Sequence, residues 1–248
     1  MNNIENAQYA GTEQLHPWWY FRFFEEIFAK TRNYSHEVSL IKTLFQLNGA
    51  VIREIGSGTG NHVAELLRCG ISRIDAIDID PVAITILRNR FALEHRVNVI
   101  QKDGFSDDDC VLFDLQLVYY CLIQQCQSSQ IASERVSHML DLARNGKGGL
   151  AIEVIDVDFH LYANLHKKPS EIYRGPDGYL EVETVETDFG MRIQYNGVLL
   201  QRSVRYSVPI TRIDFAEIID CYQQSFRFYS IPMSKSGRKK MVCFQFIG

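Results

Sequence analysis

Three glycines alternate with small hydroxyl residues directly after a short apolar run, in Val51-Ile-Arg-Glu-Ile-Gly-Ser-Gly-Thr-Gly60. Glycine lets the backbone take positive φ and approach a ligand without a Cβ in the way. A helix predicted to follow at once would turn its free N–H groups toward whatever binds. Glu54 lies at the carboxyl end of the predicted strand, the edge where open α/β sheets bind ligands. The stretch therefore predicts a ligand-binding loop between a strand and a helix.

The glycine spacing disfavours two common ligands of such loops. A dinucleotide fingerprint reads G-x-G-x-x-G, whereas this loop reads G-x-G-x-G and has Asn61 where the last fingerprint glycine would stand. A phosphate-binding P-loop has Lys and then Ser or Thr after its last glycine, whereas Asn61 and His62 stand here. The loop alone still allows an ordinary turn, so the surrounding elements have to decide.

Composition limits the classes of protein that the chain can be. Its 248 residues, 46% of them apolar, can form one large α/β domain. A net charge of -4 disfavours nucleic acid as the main partner. The six cysteines are scattered without a C-x-x-C pair, so we expect reduced thiols in a cytoplasmic protein and no zinc site. The start resembles no secretion signal, and no apolar run is long enough to span a membrane.

Apolar runs alternate with helical patterns through the first two thirds of the chain. Strands are predicted at 50–55, 74–79, 97–101, 112–118 and 150–155, and helices at 38–47, 61–69, 82–93 and 129–143. This alternation predicts a parallel sheet with right-handed crossovers. A helix at 213–223 and strands at 226–231 and 240–247 end the chain. The loop between these two strands is too short for a crossover, so they are predicted to be antiparallel.

Between strand five and the last helix the pattern changes to alternating apolar and polar residues. Three such runs are predicted strands, at 179–186, 191–195 and 198–208. Asn196-Gly197 separates the last two, and Asn-Gly between alternating runs is a strong hairpin signal. We therefore expect an antiparallel insertion, and we expect a homodimer to form through it.

The acidic Glu54 before G-x-G-x-G, the five parallel strands and the antiparallel last strand together resemble the class I S-adenosylmethionine (SAM) methyltransferases. The resemblance implies an α/β fold with a Rossmann-like, mostly parallel sheet, an antiparallel last strand and an antiparallel β insertion after strand five. It implies one methyltransferase domain in four segments. These are an N-terminal helical lid (1–48), a SAM-binding core (49–157), the insertion (158–210), and a helix with a β-hairpin (211–248).

The resemblance also assigns residues to the cofactor. Glu54 would hold the ammonium of SAM, Asp78 the ribose hydroxyls, and Asp103 the exocyclic amine of adenine. Asp78 and Asp103 also have plainer interpretations, as a polar residue at the sheet edge and as part of an ordinary turn. The full set expected to bind SAM is Tyr20, Tyr34, Glu54, Gly56, Ser57, Gly58, Gly60, Asp78, Ile79, Asp103, Gly104, Phe105, Val118 and Tyr119.

An aromatic stretch at 16–28, followed by Tyr34, has two interpretations. It can be a helix packed against the edge of the sheet. It can also be a lid whose rings, among them Trp18, Trp19 and Tyr20, cover the cofactor, because a sulfonium cation is attracted to aromatic faces.

Several short motifs are similar to those of small-molecule N-methyltransferases, including deoxyaminosugar N,N-dimethyltransferases. They are Gly58-Thr-Gly-Asn-His62, the tyrosine at position 34, the insertion and Ser236-Gly-Arg238. The segment Asp156-Val-Asp-Phe-His160 departs from the aromatic-rich segment usual in the sugar enzymes. The chain also lacks the Asn/Asp-Pro-Pro-Tyr/Phe box of amide methylation. We therefore predict a small-molecule acceptor, methylated at an amine nitrogen.

Candidates for orienting the acceptor or accepting a proton are Tyr119, Glu153 and His160, with Asp156 beside them. His62, as the second residue of a predicted helix, is expected to contact solvent or cofactor. Three alternatives stay open from the sequence. They are a SAM-binding protein that transfers no methyl group, a methyltransferase acting on protein or RNA, and a nucleotide-binding oxidoreductase.

Overall fold

The computed structural model describes residues 32–106, 112–158, 170–175, 178–188, 190–199, 202–233 and 239–248. The aromatic stretch at 16–28 with Tyr20, the candidate His160, and Ser236-Gly-Arg238 lie outside the described residues. Within the described part of the chain, no helix is long and apolar enough to cross a bilayer.

A seven-stranded sheet forms the centre of the molecule, in the order β3-β2-β1-β4-β5-β11-β10. Strands β1 to β5 are parallel, and β11 pairs antiparallel with both β5 and β10. The predicted fold class, with its antiparallel last strand, is confirmed. The strands are β1 (Val51–Ile55), β2 (Arg73–Asp78), β3 (Val97–Gln101), β4 (Leu115–Val118), β5 (Gly149–Ile155), β10 (Phe226–Pro232) and β11 (Lys239–Phe246).

Five described helices accompany the sheet, and polar side chains cap most of their N-termini. They are α1 (Tyr34–Lys42), α2 (Asn61–Arg68), α3 (Pro81–Arg90), α4 (Ser129–Gly146) and α5 (Phe215–Tyr222). Asn33, Asp80, Ser128 and Asp214 each accept a backbone N–H in the first turn of a helix, as N-caps do. One apolar cluster joins α1, α2 and α3 to one face of the sheet, and a second joins α4 and α5 to the other.

Some predicted boundaries were wrong by a few residues. Helix α1 begins at Tyr34 instead of 38, because Asn33 accepts the N–H of His36 and starts the helix earlier. Strand β4 begins at Leu115 instead of 112, since Leu112 is 71% exposed and the Asp114 carboxylate accepts the N–H of Val51 at 2.7 Å.

The insertion is a separate antiparallel sheet of four strands in the order β6-β7-β8-β9. The strands are β6 (Ser170–Gly175), β7 (Gly178–Thr187), β8 (Gly190–Leu199) and β9 (Arg202–Thr211). The predicted turn at Asn196-Gly197 was wrong, because both residues lie within β8. A Cβ on Gly197 would lie 2.1 Å from the carbonyl oxygen of Tyr179, so the glycine allows a close approach between strands. Strand β6 was not predicted.

The insertion covers the carboxyl edge of the main sheet at β4 and β5. Its inner face packs with Cys121, Ile155 and Val157, and contributes Leu180, Met191, Tyr195, Val208 and Ile210. The buried side chain of Gln124, in a short 3-10 turn after β4, donates to the carbonyl oxygens of Ile155 and Thr211 and accepts the N–H of Ile155. Gln124 thus joins the two sheets. The expected homodimer stays a prediction.

Candidate active site

The glycine loop between β1 and α2 is held by strand β2. The N–H groups of Gly56 and Ser57 donate to the carbonyl oxygen of Ile77 at 2.8 and 3.0 Å. The N–H of Gly58 donates to a carboxylate oxygen of Asp78 at 2.8 Å. Gly56, Gly58 and Gly60 all have positive φ, which the glycine pattern predicted. Among the described residues, a Cβ built on Gly58 would meet nothing within 4 Å, so no described side chain fills this side of the loop.

Asp78 lies beside that loop at the carboxyl end of β2. Its two oxygens accept the N–H groups of Gly58 and Asp80, and a carboxylate offers about four acceptor sites, so it can accept a further donor. Burial raises the pKa of Asp78, and the hydrogen bonds from Asp80 and Gly58 oppose this shift. Ile79, the next residue, is 53% exposed and offers an apolar surface at the same edge. The structure therefore places Asp78 and Ile79 together with the loop.

Glu54 is almost completely buried below the loop, at 1% exposure. Its Oε2 has no hydrogen-bond partner among the described residues. Burial raises the pKa of Glu54 to about 8, so at neutral pH this carboxyl group is mostly protonated. A buried carboxyl oxygen without a partner is unusual, and a cationic ligand group in the loop would supply one.

His62 was expected to contact solvent or cofactor, and the expectation of solvent contact was wrong, since the residue is 3% exposed. Its ring stacks on Tyr119 with centroids 3.5 Å apart and planes 3° from parallel. Its Nε2 lies 2.7 Å from Oε2 of Glu37 on α1, and its Nδ1 lies 3.7 Å from Oε1 of Glu54. Burial lowers the pKa of His62, so the neutral ring donates from Nε2 to Glu37.

Tyr119 is 2% exposed, and its hydroxyl has no partner among the described residues. Burial raises the pKa of this hydroxyl well above its usual range, so it stays protonated. With His62 covering one face of its ring, Tyr119 is a buried neighbour of Glu54 and not an open surface residue.

Glu153, a candidate proton acceptor, is completely buried and already has its partners. Arg32 contacts both of its oxygens, and the ammonium of Lys239 lies 3.2 Å from Oε1. Its Oε2 also accepts the N–H of Tyr120 at 2.7 Å. Burial by itself would raise the pKa of Glu153, but Arg32 and Lys239 hold it well below its usual range. These contacts keep Glu153 ionised and favour a role in positioning over one in proton transfer.

Three residues of this polar cluster were missed by sequence reasoning. Arg32 bridges Glu37 and Glu153, and its guanidinium lies 4.0 Å from the centroid of the Tyr120 ring. The Tyr120 hydroxyl lies 2.8 Å from that of Tyr34. Arg32 and Glu37 lie near each other in the chain, but no spacing in the sequence joins them to Tyr120 and Glu153, which come from the turn after β4 and from β5.

The remaining candidates lie at the same sheet edge. The Asp103 carboxylate accepts the N–H of Phe105 at 3.0 Å, and the Phe105 ring lies under the guanidinium of Arg135 at 4.6 Å. Val118 is fully buried. Asp156 pairs with Lys240 at 2.6 Å. Within the described residues, His, Cys, Asp and Glu form no group of three or more suited to a metal ion.

Comparison with solved structures identifies the fold. A SAM-dependent methyltransferase from Clostridium acetobutylicum ATCC 824 matches with a TM-score of 0.68 and 12% identity, over 92% of this chain and 98% of that one. DesVI from Streptomyces venezuelae matches with a TM-score of 0.68 and 14% identity, over 95% and 100%. The sugar N-methyltransferase KedS8 from Streptoalloteichus sp ATCC 53650 matches with a TM-score of 0.66 and 13% identity, over 100% and 99%.

The chain has the fold of SAM-dependent methyltransferases. These matches extend over nearly the whole length of each chain. No protein-family model matches the sequence, and a search of curated proteins finds no significant match. The likeness is therefore one of structure, at low sequence identity.

Proposed function

We propose that the protein is a SAM-dependent methyltransferase that acts on an amine nitrogen of a small molecule. The observation that carries the proposal is the combination of Glu54 with the glycine loop. A buried carboxyl group, with an oxygen that lacks a partner among the described residues, lies directly below a loop whose Gly58 has no described neighbour on its Cβ side. The ammonium of an amino-acid group is the kind of ligand that would satisfy this oxygen.

The residues around the loop fit the other parts of SAM. The lone pairs left on Asp78 can accept ribose hydroxyls, and the exposed Ile79 can pack against a purine face. Asp103 and Phe105 come after β3, the strand next to β2, and border the same edge of the sheet. Tyr34 joins the group through Asn61, which follows the glycine loop. When bound, SAM supplies a methyl group that its sulfonium already activates.

The charges at the strand ends favour an amine over a hydroxyl acceptor. Glu153 is committed to Arg32 and Lys239, and the Tyr119 and Tyr120 hydroxyls have pKa values raised by burial. These three groups are poorly suited to removing a proton from an alcohol. An amine arriving unprotonated needs no such base, so these residues have only to orient it and exclude water.

The insertion sheet supports a small acceptor. It packs across the carboxyl edge at Cys121, Ile155 and Val157, which restricts the space above β4 and β5. Sugar N-methylation is what the name of KedS8 records for that protein. We propose an amine on a compact, polar molecule for this chain.

The first experiment is a thermal shift assay with SAM, S-adenosylhomocysteine and NAD(H). A ligand bound only by the folded state raises the unfolding temperature, so SAM and S-adenosylhomocysteine should raise it and NAD(H) should not. Incubation with methyl-labelled SAM and a panel of amino sugars and simple amines should then release S-adenosylhomocysteine. An Asp78→Ala variant should lose most of the shift.

The outcomes separate the alternatives. Stabilisation by NAD(H) but not by SAM would favour an oxidoreductase and contradict the proposal. Tight SAM binding without product for any amine would favour a protein that binds SAM without transferring methyl. Label recovered only in precipitated protein or RNA would favour a macromolecular acceptor.

A further inference from the structure

Two consecutive residues, one position beyond the residue that follows β4, have a left-handed backbone. Tyr120 has φ of 59° and Cys121 has φ of 53°, and neither is a glycine. Residues with side chains rarely adopt this conformation, and it persists where the surrounding contacts enforce it. The contacts that hold this turn therefore indicate which groups the turn positions.

Three contacts fix Tyr120. Its N–H donates to Oε2 of Glu153 at 2.7 Å, and its carbonyl oxygen accepts Nε2 of Gln125 at 3.0 Å. The guanidinium of Arg32 packs over its ring at 4.0 Å. The first contact comes from a buried carboxylate on the adjacent strand β5, so the position of Tyr120 depends directly on Glu153.

Glu153 is itself held rigidly. Arg32 contacts both carboxylate oxygens, and the ammonium of Lys239 approaches Oε1 from β11. Two cations around one buried carboxylate leave it little freedom to rotate. This arrangement is suited to fixing a backbone N–H in space.

The Tyr120 side chain continues these contacts toward the glycine loop. Its hydroxyl is hydrogen-bonded to that of Tyr34 at 2.8 Å, and Nδ2 of Asn61 lies 3.4 Å from the Tyr34 hydroxyl. Oδ1 of Asn61 accepts Nη1 of Arg90 at 2.8 Å, which orients the amide so that Nδ2 faces Tyr34. A continuous set of hydrogen bonds therefore runs from β5 to the first residue of α2.

We propose that Glu153 is a positioning residue: through the backbone of Tyr120 it holds Tyr34 against Asn61 and so shapes the cofactor side of the glycine loop. The inference rests on the proposed function, because it concerns the same SAM site. It gives Glu153 a role that needs no proton transfer, and it makes Tyr120 the link between the acceptor side of the site and the cofactor side.

The test is a double-mutant cycle on the affinity for S-adenosylhomocysteine, measured by calorimetry. Glu153→Gln and Tyr120→Phe should each raise Kd about 3- to 10-fold, the effect of one lost hydrogen bond. The double variant should bind no more than about twofold more weakly than the weaker single variant, because both act through the same contacts. Unfolding temperatures measured alongside would separate this coupling from a general loss of stability.

Controls are available within the chain. Tyr222→Phe removes a hydroxyl that bonds to Ser137 on the other face of the sheet, and it should leave Kd within about twofold of wild type. If Glu153→Gln does not fold, Lys239→Gln replaces it. That variant removes the half-exposed cationic partner of Glu153, so it should raise Kd less than Glu153→Gln does. It should raise Kd in the wild-type background but not in the Tyr120→Phe background.

Wild-type affinity in Glu153→Gln, or in Lys239→Gln where the first variant does not fold, would overturn the inference. Fully additive losses with Tyr120→Phe would do the same. If the wild-type protein does not bind S-adenosylhomocysteine at all, the proposed function is contradicted. This result is obtained before any variant is compared, so it is distinct from a failure of the inference about Glu153.

Discussion

At the scale of single residues, Glu54 determines how the proposed cofactor site responds to pH. Its carboxyl group is buried beside the neutral His62, and burial raises its pKa to about 8. In the free protein the group therefore holds a proton at pH 7. Pairing with an ammonium group favours the ionised carboxylate, so that proton should leave when SAM binds.

Binding of SAM should release the proton of Glu54. Because Glu54 loses its proton when it pairs with the ammonium, SAM affinity should rise between pH 6 and 7.5, by up to about tenfold per pH unit. Calorimetry in buffers with different ionisation enthalpies should find about one proton released at pH 7. Glu54→Gln carries no titratable proton at this position, so proton release on SAM binding should fall to near zero. The affinity of this variant for SAM should be weak and nearly independent of pH. Proton release unchanged in Glu54→Gln would assign the effect to another group.

The sequence predicted the part of the site that comes from short stretches of chain. Asp78 ends a strand, Gly58 and Ile79 come after one, and the structure brings the three together at one edge. It did not predict that Glu153 pairs with Arg32, a residue 121 positions away that stands just before α1. Such a pair depends on how α1 packs over the sheet, and no local pattern records that packing.

At the scale of elements, the glycine loop is held on both sides, while Gly58 in its middle has no described neighbour on its Cβ side. Strand β2 holds its first half through Ile77 and Asp78, and Arg90 of α3 donates to the carbonyl oxygen of Thr59. Gly60 ends the loop as the N-cap of α2 and packs against α3 and the residue that follows it. The two glycines at 58 and 60 therefore serve different purposes.

A matched pair of substitutions separates these purposes. In Gly60→Ala the new Cβ would lie 2.5 Å from the Phe91 ring and 2.7 Å from Leu87, at a φ of 81°. We expect a loss of about 2–4 kcal/mol in the free energy of unfolding. The methyl group of Gly58→Ala would meet none of the described residues within 4 Å, so the left-handed φ costs about 1 kcal/mol, while the methyl group enters the space proposed for the cofactor. Urea unfolding and SAM affinity, measured on both variants, should rank them in opposite order. The same ranking in both measurements would contradict the assignment.

The elements themselves followed from periodicity where helices and strands alternate. The insertion was harder, because a glycine in a strand and a glycine in a turn look alike in sequence. Asn196-Gly197 reads as a hairpin, yet Gly197 is needed where β8 passes close to Tyr179 of β7. The packing of the neighbouring strand, which the local sequence does not encode, decided between the two.

At the scale of the whole molecule, the main sheet and the insertion sheet meet at a small polar joint next to the site. The side chain of Gln124, which is 2% exposed, bonds to both the N–H and the carbonyl oxygen of Ile155 and to the carbonyl oxygen of Thr211. The Thr211 hydroxyl donates to the carbonyl oxygen of Cys126 at 2.6 Å. These bonds fix the end of β9 against the end of β5, so the cover over the carboxyl edge depends on them.

Removing this joint should loosen the insertion more than the central sheet. Gln124→Ala removes three buried hydrogen bonds to backbone groups, and we expect the free energy of unfolding to fall by about 2–4 kcal/mol. Hydrogen exchange should quicken in β7, β8 and β9 more than in β1 and β4, because the insertion loses its attachment while the parallel core keeps its own packing. Gln223→Ala is the matched control, since that side chain bonds to the carbonyl oxygen of Asp220 on the exposed surface of α5 and should change neither quantity. Uniformly faster exchange across both sheets would mean that Gln124 stabilises the fold as a whole and does not join two separable parts.

With the insertion loosened but the core intact, SAM should still bind to the Gln124→Ala protein, and turnover of an amine acceptor should fall.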